Sequence, residues 1–178
     1  MSLPCAVQNA FDRATKAAGA PLVWLHLGAD TLWLVREGDE SGPASVALDL
    51  GTDSTARLFF RSDLPRPVEL ERAIDHVEDE LMRAVAWSAG HATLATDHPL
   101  VRGLTQAHGS TGALLTRDAV EAVFQRLASG ALGDPSALKG LPAGREAAAT
   151  LLILRELMHH LSFSQVVVAP PSPGASPP

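Results

Sequence analysis

The sequence predicts an α+β fold, with a mainly antiparallel sheet of about five strands and helices packed on one face. Three observations lead to this prediction. Apolar residues recur at helical spacing near the N-terminus, residues 22–61 change to short β-rich runs separated by turns, and helical spacing returns from residue 67. Early strands followed by later helices are the order expected when helices gather on one side of a sheet.

The first predicted element is a helix over residues 5–18. Val7, Phe11 and Ala14 recur at helical spacing, so that one face of this helix can pack against the rest of the domain. Gly19 follows the last helical residue and gives the helix a C-terminal stop.

Four antiparallel strands are predicted next, from the segments VWLHLG, TLWLVRE, SVALDLG and TARLFFR. Each segment is short and rich in β-branched, leucine or aromatic residues, and the turn clusters GAD, GDESGP and GTDS separate them. The fourth segment, residues 55–61, would return from the GTDS turn as one more strand of a hairpin.

Three later helices are predicted, over residues 67–87, from Thr116 as N-cap to Gly130, and over residues 142–161. The acidic and basic residues of the first are interpreted as a solvated helix face. The last is apolar on most sides, which predicts a central helix. Residues 163–169 are predicted to form a final strand. The segment 91–115 shows no clear period, which favours a functional loop or a short hidden element.

The composition is that of an ordinary globular domain. The chain has 178 residues, of which 46% are hydrophobic and 19% charged, enough to bury a core without disulfides. We predict a single domain over residues 1–169. The tail PPSPGASPP is proline-rich and polar, so residues 170–178 are predicted to be disordered.

The charge and cysteine content narrow the possible partners and the location. A formal net charge of −6 supplies no positive field for a phosphodiester backbone, so nucleic acid is not expected as a partner. Cys5 is the only cysteine, which fits a reducing compartment. The N-terminus lacks the pattern of a signal peptide, and charges interrupt every long apolar run. These features predict a cytoplasmic protein that does not enter a membrane. The scarcity of lysine relative to arginine, together with abundant alanine, is typical of a GC-rich bacterial genome.

Aromatic residues of the predicted strands favour a homodimer. Trp24, Trp33 and Phe59 would lie on a sheet face that lacks a helical cover. A second subunit or a ligand would then have to bury them, because large exposed apolar patches are uncommon on monomers.

The segment Asp49-Leu50-Gly51-Thr52 resembles the Asp-x-Gly-Thr turn that approaches nucleotide phosphates in sugar kinases and actin-like ATPases. The resemblance implies a phosphate-binding role for Asp49, Gly51 and Thr52. Glycine lets a backbone come close to an anion, and adjoining amides can form an anion-binding nest. Those ATPases need two lobes, however, and this chain shows no second copy of the motif in a suitable place.

An internal repeat favours a simpler interpretation of this segment. Residues 25–30 and 48–53 share the pattern Leu-x-Leu-Gly-x-Asp, and the first copy carries His26 where the second carries Asp49. Glycine and aspartate are typical of tight turns for conformational reasons alone. We therefore predict a repeated turn, with phosphate binding as the alternative.

The end of the last predicted helix carries possible metal ligands. Glu156 precedes His159 by three residues and His160 by four, so these side chains can share a helical face and chelate a divalent metal. The alternative is that the two histidines interact with the helix dipole and the last carbonyl groups.

The irregular segment supplies a second set of possible ligands. His91, Asp97, His98 and His108 lie in it, at wide spacing. Three histidines could hold a zinc ion, although no His-Glu-x-x-His pattern marks a known arrangement, and ordinary loop residues are the alternative.

The functional prediction follows from the lack of a recognisable catalytic motif in the sequence. The sequence shows no Gly-x-Ser-x-Gly nucleophile turn, and Cys5 lies near the N-terminus. This favours a non-catalytic module that binds a protein or a small molecule. The alternative is a small metal-dependent hydrolase with His, Asp and Glu ligands, in which a divalent metal would acidify a water molecule.

Overall fold

The structure is a computed structural model that describes residues 2–40, 42–85, 93–107 and 113–170. The strands in these residues are β1 (Leu22–Leu27), β2 (Leu32–Asp39), β3 (Gly42–Leu48), β4 (Thr93–Thr96), β5 (Leu114–Thr116) and β6 (Gln165–Val168). The helices are α1 (Cys5–Ala18), α2 (Thr52–Phe59), α3 (Pro67–Met82), α4 (Pro99–Ala107), α5 (Arg117–Ala131) and α6 (Arg145–His160), with a 3₁₀ turn at Pro135–Leu138.

The strands form one mixed sheet in the order β3-β2-β1-β4-β6-β5. β1, β2 and β3 pair as an antiparallel meander, and β5 pairs antiparallel with β6. Between them, β4 pairs parallel with both β1 and β6. The α+β class is therefore confirmed, but the prediction of a mainly antiparallel sheet of about five strands is wrong.

The parallel pairs at the centre of the sheet need helices that return the chain from the C-terminal end of one strand to the N-terminal end of the next parallel strand. A parallel pair needs a crossover of a dozen or more residues, usually a helix. α3 lies before β4, and α6 lies before β6. The sequence predicted both helices, but β4 has only 4 residues, too few for a clear alternating pattern.

The segment TARLFFR lies in helix α2 and the loop after it, not in a fourth hairpin strand. The buried residues of α2 are Thr52, Thr55 and Ala56. They are three and four positions apart, so they fall on one helical face. The aromatic and threonine content suggested a strand, whereas contacts to a distant turn stabilise the helix.

Helices cover both faces of the sheet, because successive strand residues point to opposite sides. Val23 and Leu25 belong to the larger core, which α2 to α6 complete. Trp24 and Trp33 belong to the smaller core, where Phe11 of α1 packs against them. The prediction of helices on one face is therefore wrong, since α1 lies on the second face.

The cover that α1 provides removes the reason for expecting a homodimer. Trp24 is 1% exposed and Trp33 6% exposed, and Phe59 lies in α2, packed against the larger core. None of the three lines an uncovered sheet face. The homodimer remains an untested prediction that these residues no longer support.

Several other predictions are confirmed. The predicted helix over residues 5–18 is α1, with Gly19 in the left-handed conformation that ends it. The hydroxyl of Thr116 accepts a hydrogen bond of 3.1 Å from the Ala119 amide and caps α5. α6 is buried along most of its length and is the central helix.

The segment without a clear period contains β4, α4 and β5 within its described part. The predictions for His91 and His108 lie outside the described residues, as does nearly all of the predicted tail at 170–178. Among the described residues, no helix has the length and apolar character needed to cross a bilayer.

Candidate functional site

Four strands end at one edge of the sheet, which we call the carboxyl edge. β1, β4 and β6 are mutually parallel, and β3 has the same direction because two antiparallel pairings separate it from β1. The chain after β1 continues to β2 on one side, whereas the chain after β4 continues to β5 and then β6 on the other side. The crevice at such a switch point is the usual ligand site of open sheets with parallel strands.

The two copies of the Leu-x-Leu-Gly-x-Asp repeat meet at this edge. The Thr52 amide donates to the Gly28 carbonyl at 3.0 Å, and the amides of Asp53 and Ser54 donate to the Ala29 carbonyl at 2.9 and 3.0 Å. The turn after β1 thus caps the N-terminus of α2 with backbone carbonyls. The predicted repeated turn is a turn in its first copy, while its second copy opens a helix.

These contacts bear on the phosphate-binding prediction for Asp49, Gly51 and Thr52. The Gly51 amide donates to the Ser54 hydroxyl at 3.1 Å, and the Thr52 amide is engaged as described. Asp49 is exposed, with a carboxylate oxygen 3.8 Å from a nitrogen of Arg83. A phosphate at this turn would have to displace carbonyl groups that satisfy the helix, so phosphate binding there stays a prediction without support from the geometry.

Replacing Gly51 by alanine is expected to destabilise the fold. An added Cβ would lie 2.1 Å from the Ala29 carbonyl oxygen, although the backbone conformation, with φ of −138°, suits any residue. Such overpacking against backbone should lower the free energy of unfolding by about 2 kcal/mol, measured by urea denaturation. Gly103→Ala is the control, because its Cβ would meet only the Pro142 ring at 3.1 Å. Equal stability of both variants would contradict this account.

Three ionisable side chains flank the switch point between β1 and β4. His26 is the penultimate residue of β1, opposite Trp33 of β2. Asp97 and His98 directly follow β4. The backbone holds His98 in place, since its amide donates to the Thr96 hydroxyl at 3.2 Å and its carbonyl accepts from the Arg102 amide at 3.2 Å.

Burial keeps the two imidazoles of this site uncharged. It lowers the pKa of His98 to about 4. Electrostatic repulsion between His98 and His26, when both would be protonated, is a second cause, and the Asp97 carboxylate opposes both effects. Burial also lowers the pKa of His26 below its ordinary value, again against Asp97. Near neutral pH both rings can therefore accept a proton or a hydrogen bond.

The ring of His98 also has an unsatisfied atom. Its Nδ1 is buried and has no hydrogen-bond partner within the described residues, and such orphaned atoms call for an explanation such as a ligand or water. Beside it, a guanidinium nitrogen of Arg102 donates to the Ala169 carbonyl at 2.5 Å. This bond joins α4 to the residue that follows β6.

The metal prediction for Asp97 and His98 gains no support from their spacing. Within the described part of the chain, one group of three His, Cys, Asp or Glu side chains has ligand atoms that all lie within 4.8 Å of one another, and it consists of Glu78, Glu156 and His160. Asp97 and His98 form no such group with His26.

The group of Glu78, Glu156 and His160 lies between α3 and α6. Glu78 belongs to the last turns of α3, and Glu156 and His160 to the last turns of α6. His160 Nε2 is 3.3 Å from a Glu78 oxygen and 3.7 Å from a Glu156 oxygen. The predicted shared face of Glu156 and His160 is thus present. His159 is exposed, with its ring edge against that of His160 at a centroid distance of 5.2 Å.

Sequence reasoning missed two residues of these sites. Glu78 was assigned to a solvated face, because no local pattern shows that α3 packs against α6. His26 was noted only as a variation within the repeat. The available signal was its position at the end of a strand, where the second copy carries Asp49.

Comparison with solved structures identifies the fold. No protein-family model matches the chain, and a search of curated proteins finds no match. The structure of a Ppx/GppA family member from Aquifex aeolicus matches with a TM-score of 0.71 and 14% identity over 92% of this chain. An exopolyphosphatase from Cytophaga hutchinsonii matches with a TM-score of 0.60 and 13% identity over 84% of this chain. An exopolyphosphatase-like protein matches with a TM-score of 0.66 and 18% identity over 85% of this chain.

The matched proteins are longer than this chain. The alignments cover 57%, 53% and 56% of their lengths, respectively, so the chain spans little more than half of each. At these identities the likeness shows a shared fold. It also corrects the prediction of a non-catalytic binding module, because these neighbours are described as members of an enzyme family or as exopolyphosphatase-type proteins. The alternative prediction, a hydrolase, agrees better with these structural neighbours.

Proposed function

We propose that this chain is one lobe of a hydrolase that cleaves phosphoanhydride bonds at the carboxyl edge of its sheet. The observation that carries the proposal is His98, a buried and uncharged imidazole with an orphaned Nδ1, which lies at the switch point. The shared fold with exopolyphosphatase-type proteins supports phosphate chains as the substrate class.

The site offers distinct features for an anion and for a proton. α4 starts directly after His98, and the first amides of a helix have no intrahelical partners, so they favour an anion such as a phosphate. In hydrolysis a water oxygen attacks phosphorus, and the bond from phosphorus to the leaving phosphate oxygen breaks. His98, assisted by His26, would take the proton that the water loses. Asp97 would stabilise the imidazolium ion that forms.

A second lobe would close the crevice. The matched structures contain about as much chain again, and a crevice at a sheet edge is open on its outer side. A second lobe, whether part of the same protein, of another chain or of a second copy as in the predicted homodimer, would exclude water from the bound phosphates. Dependence of specific activity on protein concentration would distinguish a two-copy site from a lobe that acts alone.

Replacing His98 by alanine is expected to lower phosphate release from inorganic polyphosphate by about 100-fold, the lower end of what a positioned proton acceptor contributes. The assay measures orthophosphate released by the full chain, with Mg²⁺ and Mn²⁺ each supplied. His159→Ala is the matched control, because it removes an exposed imidazole of α6 that lies outside the residues of the proposed site.

Ligand binding gives this test a second readout. Nitrogen chemical shifts of the His26 and His98 rings, followed by NMR during titration with tripolyphosphate, should change in the wild type and in His159→Ala. No release above the protein-free blank, or equal release by the wild type and His98→Ala, would contradict hydrolysis at this site. Unchanged ring shifts would contradict phosphate binding there.

A further inference from the structure

A second polar site lies between the C-terminal parts of α3 and α6. We call it the interhelical cluster, and it consists of Glu78, Glu156 and His160. These side chains offer two carboxylates and one imidazole, with ligand atoms that all lie within 4.8 Å of one another. We propose that the interhelical cluster binds a divalent transition-metal ion, with Zn²⁺ as the best fit.

The orientation of His160 indicates a missing partner. Its Nε2 is shielded from solvent and makes no hydrogen bond within the described residues, although oxygens of Glu78 and Glu156 lie at 3.3 and 3.7 Å. The nitrogen faces both carboxylates without donating properly to either. An ion held between the three atoms would accept the nitrogen lone pair and both oxygens after small side-chain rotations.

The two oxygens of Glu156 have different surroundings. Oε1 accepts a hydrogen bond from the Arg155 guanidinium, whereas Oε2 is the oxygen that faces His160. Oε2 can therefore bind a metal while Oε1 keeps its bond to Arg155. Such an outer hydrogen bond is the kind that orients a ligating carboxylate in metal sites.

The local charge balance favours a cation. Arg155 is shared, since it also donates to Glu121 at 2.6 Å. One guanidinium thus serves both Glu121 and Glu156, while Glu78 adds a further carboxylate beside Glu156. Glu156 is only 2% exposed, and burying an incompletely compensated carboxylate is costly. A dication would offset this excess of negative charge.

The donor types select the class of ion. Imidazole suits zinc, iron, copper and nickel, whereas carboxylate oxygen alone suits magnesium, calcium and manganese. One imidazole with two carboxylates is compatible with Zn²⁺, with water completing the tetrahedron. The site joins the two helices that lead into β4 and β6, so the ion would stabilise the fold. This role is independent of the proposed hydrolysis.

The test is Zn²⁺ binding to full-length protein that has been stripped with a chelator. We expect one Zn²⁺ per chain by elemental analysis after dialysis. At about 100 times the dissociation constant, the melting temperature should rise by roughly 5 to 10 °C. Glu78→Gln and His160→Gln should each lower the Zn²⁺ affinity by more than about tenfold, measured by competition with a chromophoric chelator.

Two controls separate this site from other effects. His159→Gln removes the adjacent exposed imidazole, and His98→Ala removes the carboxyl-edge imidazole, and both should bind Zn²⁺ as the wild type does. Glu78 is 43% exposed, so its variant should keep the fold, which circular dichroism checks. Absence of bound Zn²⁺, or unchanged affinity in Glu78→Gln and His160→Gln, would overturn the proposal whatever the hydrolysis assay shows.

Discussion

Replacing Arg155 by methionine should lower the free energy of unfolding by about 3 to 5 kcal/mol at pH 7, in the presence of a chelator. Arg155 packs its guanidinium over the Phe124 ring at 4.6 Å and bonds to both Glu121 and Glu156. Methionine keeps much of the apolar contact but leaves the carboxylate of Glu156 buried without its cation. Urea denaturation measures the difference.

The loss caused by Arg155→Met should shrink as the pH falls. Burial already raises the pKa of Glu156, and Arg155 opposes that rise, so removing Arg155 should raise it further. A carboxyl group whose pKa is higher in the folded than in the unfolded state lowers the free energy of unfolding at pH values above its unfolded pKa. Protonation of the folded state removes this loss. The difference between variant and wild type is therefore expected to be smaller at pH 5 than at pH 7.

A second substitution tests whether Glu156 is the cause. Adding Glu156→Gln to Arg155→Met removes the unpaired charge and should recover at least about 1 kcal/mol. Glu121 is 40% exposed, and Glu121→Gln alone should cost less than about 1 kcal/mol. Equal stabilities of Arg155→Met and the double variant would show that lost packing, not an uncompensated charge, explains the effect.

Local patterns predicted the elements that local interactions determine. The helix over residues 5–18 ends at Gly19, a residue in the left-handed conformation, and Thr116 caps its own helix. α2 was missed because its first amides are capped by Gly28 and Ala29, more than twenty residues earlier. The parallel pairing of β4 was missed for the same reason, since pairing partners are set by long-range packing.

The candidate sites also combine residues that local sequence patterns reveal with residues that only long-range packing brings together. The spacing of Glu156 and His160 was visible because both lie on one helix, but Glu78 joins them only through packing of α3 against α6. Asp97 and His98 drew notice because they stand together in the chain. His26 joins them only because β1 and β4 are neighbouring parallel strands, a pairing that the sequence did not reveal.

The wild-type protein should lose stability on mild acidification because of His98. Its pKa falls from 6.5 to about 4 on folding, so the unfolded chain takes up a proton between these values and the native state does not. The stability is complete above pH 6.5 and decreases as the pH falls toward 4. At 1.36 kcal/mol per pKa unit the decrease attributable to His98 is about 3 kcal/mol. His26 should add to it in the same direction, since burial lowers its pKa too.

Comparison of variants isolates the contribution of His98. Urea denaturation at pH 7 and pH 4.5 should show a smaller acid-induced loss for His98→Gln than for the wild type, because glutamine takes up no proton in the unfolded chain. Glu156 titrates in both proteins and cancels in the comparison, and His159→Gln controls for removing an exposed imidazole. If His98→Gln loses as much stability as the wild type, the ring is protonated in the native state at pH 4.5. The uncharged imidazole on which the proposed proton transfer depends would then lose its basis.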